Sequence, residues 1–282
     1  MNSFTIQSND GYPISAHEFV PKNPTNKTIV FAPAVAVPQK FYFNIANYLA
    51  EKGCNVFTFD YRSIGSSNSK SIKSLKNQGF FSWAMDFNAV SKYVKTKFPN
   101  NTQYMVGHSY GGNSVGFSDA FQYYDKYITI GSQFGFYKHF TPRMRFLIYL
   151  NFKFFVPITT SVLGYYPSGW FGLGRPLTTK AAKDWAVFLL HPDSMLHFTK
   201  GSSKTYYKKI KESMLLISID DDLFAPKKSV DILADRVYSN ALTTRKHLKP
   251  SDYNLKTIGH FDFFRKKNQD ILWPIIDQWF EL

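Results

Sequence analysis

The chain carries, in order, a serine, a run of three aspartates and a histidine that together could perform nucleophilic acyl chemistry. Ser109 lies in Gly107-His108-Ser109-Tyr110-Gly111, a G-x-S-x-G match entered by the apolar run QYMVG (103–107) and followed by a helical pattern (110–120). A strand–turn–helix of this kind exposes the hydroxyl on a strained turn, and small residues two places either side give it clearance. The bland alternative is a glycine-rich turn capped by serine. A hydroxyl becomes a good nucleophile only when an imidazole takes its proton. Of the seven histidines, His260 (in IGHFDFF) follows LKTIG (255–259), read as the last strand. That puts it at the carboxyl edge of the sheet, where ligand chemistry collects. His17 falls on an early strand, His108 beside the serine, and His139, His191 and His197 in an irregular stretch, while His247 precedes a loop proline. An imidazole in turn needs a carboxylate to fix its tautomer. Asp220-Asp221-Asp222, after MLLISI (214–219), stand between serine and histidine. Adjacent aspartates also serve as turn or capping residues, and they lack the alternate spacing of a calcium loop.

The elements that must position these residues alternate strand with helix. Short β segments (FTIQS, ISAHEF) flank the turn Asn9-Asp10-Gly11. Then come a strand at 28–34, a helix at 39–52, a strand at 55–60, a helix at 82–98, a strand at 103–107 and another at 127–132. The pattern pauses between about 135 and 210. It resumes with a strand at 214–219, a helix at 227–238, the strand 255–259 and a helix at 268–282. Such alternation implies right-handed crossovers and a mostly parallel sheet. The expected organisation is a core of residues 1–134 and 211–282, interrupted by an aromatic, basic insertion at 135–210.

On these residues the chain resembles the α/β-hydrolase serine hydrolases, in the predicted-hydrolase, lysophospholipase/S33-like branch. Asp60-Tyr61-Arg62-Ser63-Ile64-Gly65-Ser66-Ser67 resembles that family's D-x-R-G-x-G-x-S turn, with Ser63 in place of a glycine. Asp222-Leu223-Phe224-Ala225-Pro226 resembles its D-x-x-x-P acid loop, which singles out Asp222, and Gly259-His260-Phe261 its histidine loop. Ala36-Val37-Pro38-Gln39 with Phe41-Tyr42 resembles the segment after strand three, although Pro33-Ala34 replace the His-Gly of many relatives. The resemblance implies an eight-stranded α/β-hydrolase sheet flanked by helices, with the insertion as a helical lid. It implies Ser109 as nucleophile, His260 as base, Asp222 as acid, and the backbone N–H groups of Val35 and Tyr110 as oxyanion donors. It also implies a small acyl ester as substrate, with neither cofactor nor metal. An acyltransferase or thioesterase on the same fold, or a non-catalytic ligand-binding relative, stays open.

Composition narrows the rest. In 282 residues, 44% hydrophobic, 28 Phe and 18 Tyr exclude a disordered chain. The lone Cys54 excludes a disulfide framework and a cysteine-based metal site, reads as a small buried hydrophobe, and fits a cytoplasmic protein. Net charge is +14, but the bases are scattered and no nucleic-acid motif accompanies them, so nucleic acid is not an expected partner. Attraction to an anionic membrane or amphiphile remains open. The N-terminal residues lack the pattern of a signal peptide. The charge-free run from Phe154 to Gly174 holds Pro157, Gly164, Pro167, Gly169 and Gly172, which suits an irregular insertion better than a membrane span.

Overall fold

A computed structural model describes residues 1–200 and 205–282. The strands are β1 (Asn2–Gln7), β2 (Pro13–Phe19), β3 (Lys27–Ala32), β4 (Cys54–Phe59), β5 (Thr102–His108), β6 (Lys126–Ile130), β7 (Ser213–Ile219) and β8 (Leu242–Leu248). They form one sheet in the order β1-β2-β4-β3-β5-β6-β7-β8. β2 runs antiparallel to its neighbours β1 and β4, and the remaining pairs are parallel. The central strands are apolar along both faces because both faces are covered. In β3, Ile29 and Phe31 point into one core while Val30 and Ala32 point into the other. Helix α1 (Phe43–Glu51) packs into the first core, and helix α2 (Phe80–Lys97) into the second. Cys54 is fully buried in β4, and that burial pushes its thiol up to about 11.

One expected strand is absent. Residues 255–259 form a loop, and the last strand is Leu242–Leu248. LTTRKHL lacks a strand's apolar pattern because it lies at the sheet edge, where all but Leu248 are exposed or half-buried. In LKTIG, conversely, the Ile258 and Gly259 N–H groups donate to a carboxylate rather than to a neighbouring strand. The helix expected over 110–120 is α3 (Tyr110–Ser114) followed by 3₁₀ turns. Between β6 and β7 runs the insertion. Its helices α4 (Pro142–Leu150) and α5 (Val156–Val162) are joined by a π turn at Asn151–Phe155, and α6 (Thr179–Leu190) follows. The π turn has a local cause: Pro157 has no N–H to continue the α ladder, and Val156 N–H reaches back five residues to the Asn151 carbonyl. The stretch from Phe154 is therefore helical as far as Val162; beyond it Tyr165–Tyr166 pair antiparallel with Leu177–Thr178 in a small separate ribbon, and a 3₁₀ turn follows at Ser168–Phe171. Among the described residues no helix is long and apolar enough to cross a membrane. After β7 come α7 (Lys227–Ile232), α8 (Gln269–Leu272) and α9 (Pro274–Phe280); Pro274 divides what the sequence suggested as one closing helix.

A buried ion-pair cluster fixes the turn after β4. Arg62, with its side chain 1% exposed, sits 2.6 Å from Asp86 of α2 and 2.6 Å from Asp10 of the first hairpin. Removing one partner of such a pair strands a buried charge and costs several kcal/mol, although the intact pair itself contributes little net stability. In the same turn Ser63 has φ 67°, and its buried hydroxyl has no partner among the described residues. A left-handed non-glycine residue costs roughly 1–2 kcal/mol, more than the roughly 0.5–1 kcal/mol of extra chain entropy a glycine loses on folding. Ser63→Gly should therefore stabilise the protein by about 1 kcal/mol, read as a rise in Tm of about 2 °C; an unchanged or lower Tm would show that the serine is unstrained there.

Candidate active site

Ser109 is built into the site by its backbone. It sits between β5 and α3 with φ 52° and ψ −119°, and its N–H donates to the Ile130 carbonyl at 2.9 Å. Such a conformation costs of order 1–3 kcal/mol and persists only where its surroundings enforce it. The two motif glycines supply the room: a Cβ on Gly107 would meet the Gly112 backbone, and one on Gly111 would overlap the Ala32 carbonyl of β3. The elbow can therefore lie flat against the central strands only with these residues.

The three aspartates have three different partners. Asp222 Oδ2 lies 2.7 Å from His260 Nδ1, while its Oδ1 accepts the N–H groups of Phe224 (2.7 Å) and Ala225 (3.0 Å). That fork orients the carboxylate, and the contact to Nδ1 puts the ring's proton there and leaves Nε2 as the basic nitrogen. Asp221 instead holds the loop that carries His260, accepting from Gly259 N (2.8 Å), Ile258 N (3.0 Å) and the Thr257 hydroxyl. Burial works to raise its pKa, but the bonds from Thr257, Gly259 and Ile258 together outweigh burial and hold the carboxyl below its usual range. Asp220 faces His247. The D-x-x-x-P spacing thus selects the aspartate that contacts the histidine. The loop-holding role of Asp221 is not legible in the sequence, because a strand at 255–259 would need no such partner.

A second histidine joins the limbs of the site, and its role was not read from the sequence. His108 is fully enclosed; its Nε2 lies 2.9 Å from the His260 carbonyl and its Nδ1 2.8 Å from the Tyr42 hydroxyl. A carbonyl only accepts, so Nε2 carries the proton and Tyr42 donates to Nδ1. The Tyr42 oxygen accepts in turn from Ala34 N–H at 3.0 Å. This chain ties the loop after β3, the elbow and the histidine loop together. The loop after β3 is also held from the insertion, where Arg175 N–H donates to the Ala36 carbonyl at 2.9 Å. These anchors fix the segment in the absence of a glycine at Ala34.

Ser109, His260, Val35 and Tyr110 all face one cavity of about 450 Å³. Among the described residues the backbone N–H groups of Val35 and Tyr110 have no protein acceptor, which suits donors awaiting an oxyanion. Apart from Gln133 and Asn151 the remaining walls are apolar and come largely from the insertion, including Ile148, Phe152, Trp185 and Phe188, with no aspartate or glutamate among them. Among the described residues no three His, Cys, Asp or Glu side chains converge as a metal site.

Residues 19–139 match the family described as serine aminopeptidase, S33. An esterase from Exiguobacterium antarcticum is 16% identical over the whole of both chains, with a TM-score of 0.64. The protein Est1E from Butyrivibrio proteoclasticus, solved with ferulic acid bound, is 16% identical over 99% of this chain and 98% of its own, at 0.61. A serine hydrolase from Xanthomonas campestris, described as without a lid, is 14% identical over 99% of this chain and 94% of its own, at 0.54. No curated protein matches the chain. The likeness to these solved structures shows that the chain has the α/β-hydrolase fold.

The enclosure of His108 has a measurable consequence. Burial, and then the neighbouring His260, hold its ring well below the usual histidine range, so it stays neutral in the folded protein. The unfolded chain takes up a proton at this residue below about pH 6.5 and the folded one does not, so stability falls on acidification. Urea unfolding between pH 7 and pH 5 should show stability falling by up to about 1.4 kcal/mol more per pH unit in the wild type than in His108→Asn. Identical slopes would show that His108 is not held neutral by the fold.

Proposed function

We propose that the protein is a serine hydrolase acting on carboxylic esters of apolar acyl groups. The observation that carries this reading is the 2.7 Å contact of buried Asp222 with His260, a residue that lines the same cavity as the strained Ser109. In this reading His260 Nε2 takes the Ser109 proton as Oγ attacks the ester carbonyl. The Val35 and Tyr110 N–H groups hold the oxyanion, and His260 returns the proton to the departing alcohol. Water, activated by the same imidazole, then releases the acid. With an alcohol, amine or thiol as acceptor in place of water the same steps would give acyl transfer.

The family match carries the word aminopeptidase, but the cavity disfavours that substrate. A free peptide N-terminus is an ammonium ion, and no carboxylate lines the walls to balance it. Burying such a charge unpaired costs several kcal/mol, whereas an acyl chain gains about 0.8 kcal/mol per buried methylene. The helical insertion would then act as the lid that supplies those walls.

Two experiments follow. Ser109→Ala should lower turnover of p-nitrophenyl esters by about 10⁴-fold or more with the Tm retained. Asp222→Asn should be nearly as damaging and act on kcat, while Asp221→Asn, which loosens the histidine loop, should cost less. A greater loss in Asp221→Asn would move the acid by one residue. On chain length, kcat/KM for the octanoate ester should exceed that for the acetate by at least tenfold, and Leu147→Trp at the cavity wall should lower the octanoate value selectively. Equal values for acetate and octanoate would detach the apolar walls from substrate selection.

A further inference from the structure

The outer face of the insertion has no protein partner. Sixteen large hydrophobic side chains are exposed among the described residues, and ten of them fall between Phe146 and Phe171. Five stand four residues apart along the continuous helical run α4–π turn–α5: Phe146, Leu150, Phe154, Ile158 and Val162, the last 78% exposed. The opposite face of the same run, with Ile148, Phe152 and Val156, is buried in the core. Trp170, 69% exposed, extends the apolar surface from the loop that packs back on the helix through Phe171 against Phe155. An apolar concentration of this kind on a water-soluble surface marks an interaction site.

Charge identifies the occupant. Between Asp125 and Asp184 the chain has no acidic residue, yet it has eight lysines and arginines, among them the exposed Arg143, Arg145 and Lys153 of the helical run itself. Two copies joined through this face would set those bases against one another without a single carboxylate from it to offset them. An anionic phospholipid surface answers both properties, taking the apolar stripe at the headgroup–acyl boundary and attracting each nearby base. We infer that α4, the π turn and α5 dock in the plane of an anionic phospholipid membrane. The cavity wall includes Leu147, Leu150, Phe155 and Phe171, which are themselves exposed on this side, so the docked face borders the cavity that holds Ser109.

The binding claim is separable from the catalytic one, because it is read on protein that cannot turn over. Ser109→Ala full-length chain is mixed with sucrose-loaded vesicles of phosphatidylcholine alone, or with 30% phosphatidylglycerol, and the bound fraction is measured by sedimentation. The anionic vesicles should bind at least about tenfold more strongly at low salt, with most of the difference lost in 0.5 M NaCl. Ile158→Ser with Val162→Ser, and separately Arg143→Gln with Arg145→Gln and Lys153→Gln, should each weaken that binding about tenfold or more. These side chains are exposed and lie off the cavity wall, so the same substitutions on the Ser109 background should leave cleavage of a soluble acetate ester and the Tm unchanged. Equal binding to both vesicle types, or none to either, would overturn the inference. So would a doubled mass by light scattering that Ile158→Ser with Val162→Ser returns to that of a monomer, since the face would then belong to a second copy.

Discussion

The site depends on a chain of hydrogen bonds that runs across the carboxyl edge of the sheet: Ala34 N–H to Tyr42, Tyr42 to His108, and His108 to the His260 carbonyl. Each bond alone is worth about 1 kcal/mol. Their position matters more than their sum, because they join directly three loops that belong to different strands. The loop after β3 brings the Val35 amide, the elbow brings Ser109 and the last loop brings His260. A histidine locked neutral by burial serves this purpose because it then has one donor and one acceptor in fixed directions.

Around that chain the energetics divide the molecule into two kinds of region. The sheet and its two cores are conventional: apolar strands buried on both faces and helices closed over them. Their rigidity supports the unfavourable features concentrated at the edge, namely a strained serine, a buried carboxylate against an imidazole and backbone amides left without acceptors. The insertion inverts the usual distribution, with apolar residues on its inner face forming the cavity and apolar residues on its outer face left in water. The part of it before Asp184 carries bases and no acidic residue, and it is the part that holds the exposed apolar stripe, so charge and exposed apolar surface act together there.

Much of this was legible in the residues. The G-x-S-x-G turn between an apolar strand and a helix, and the carboxylate–histidine order behind it, identify the residues that meet at the cavity, because their local sequence requirements are strict. The alternation of strands and helices gives the parallel sheet. What could not be read was anything decided by long-range partners. The edge strand Leu242–Leu248 is polar because one side faces water, and 255–259 is a loop because Asp221, more than thirty residues earlier, supplies its acceptors. Tyr42 stands in the segment that resembles the family's loop after strand three and His108 fills a variable motif position, but nothing local announces that they touch. The exposure of the stripe from Phe146 to Val162 was equally invisible, as spacing alone does not say which apolar face a fold leaves uncovered.

The central claim is that Ser109 is an activated nucleophile rather than a capped turn. It is tested most directly by treating the native protein with a fluorophosphonate and locating the adduct by mass spectrometry of its peptides. The account predicts a single stoichiometric adduct on Ser109 and slowed labelling in His260→Ala. Labelling that falls on another residue, or an unmodified Ser109 in folded protein, would contradict it.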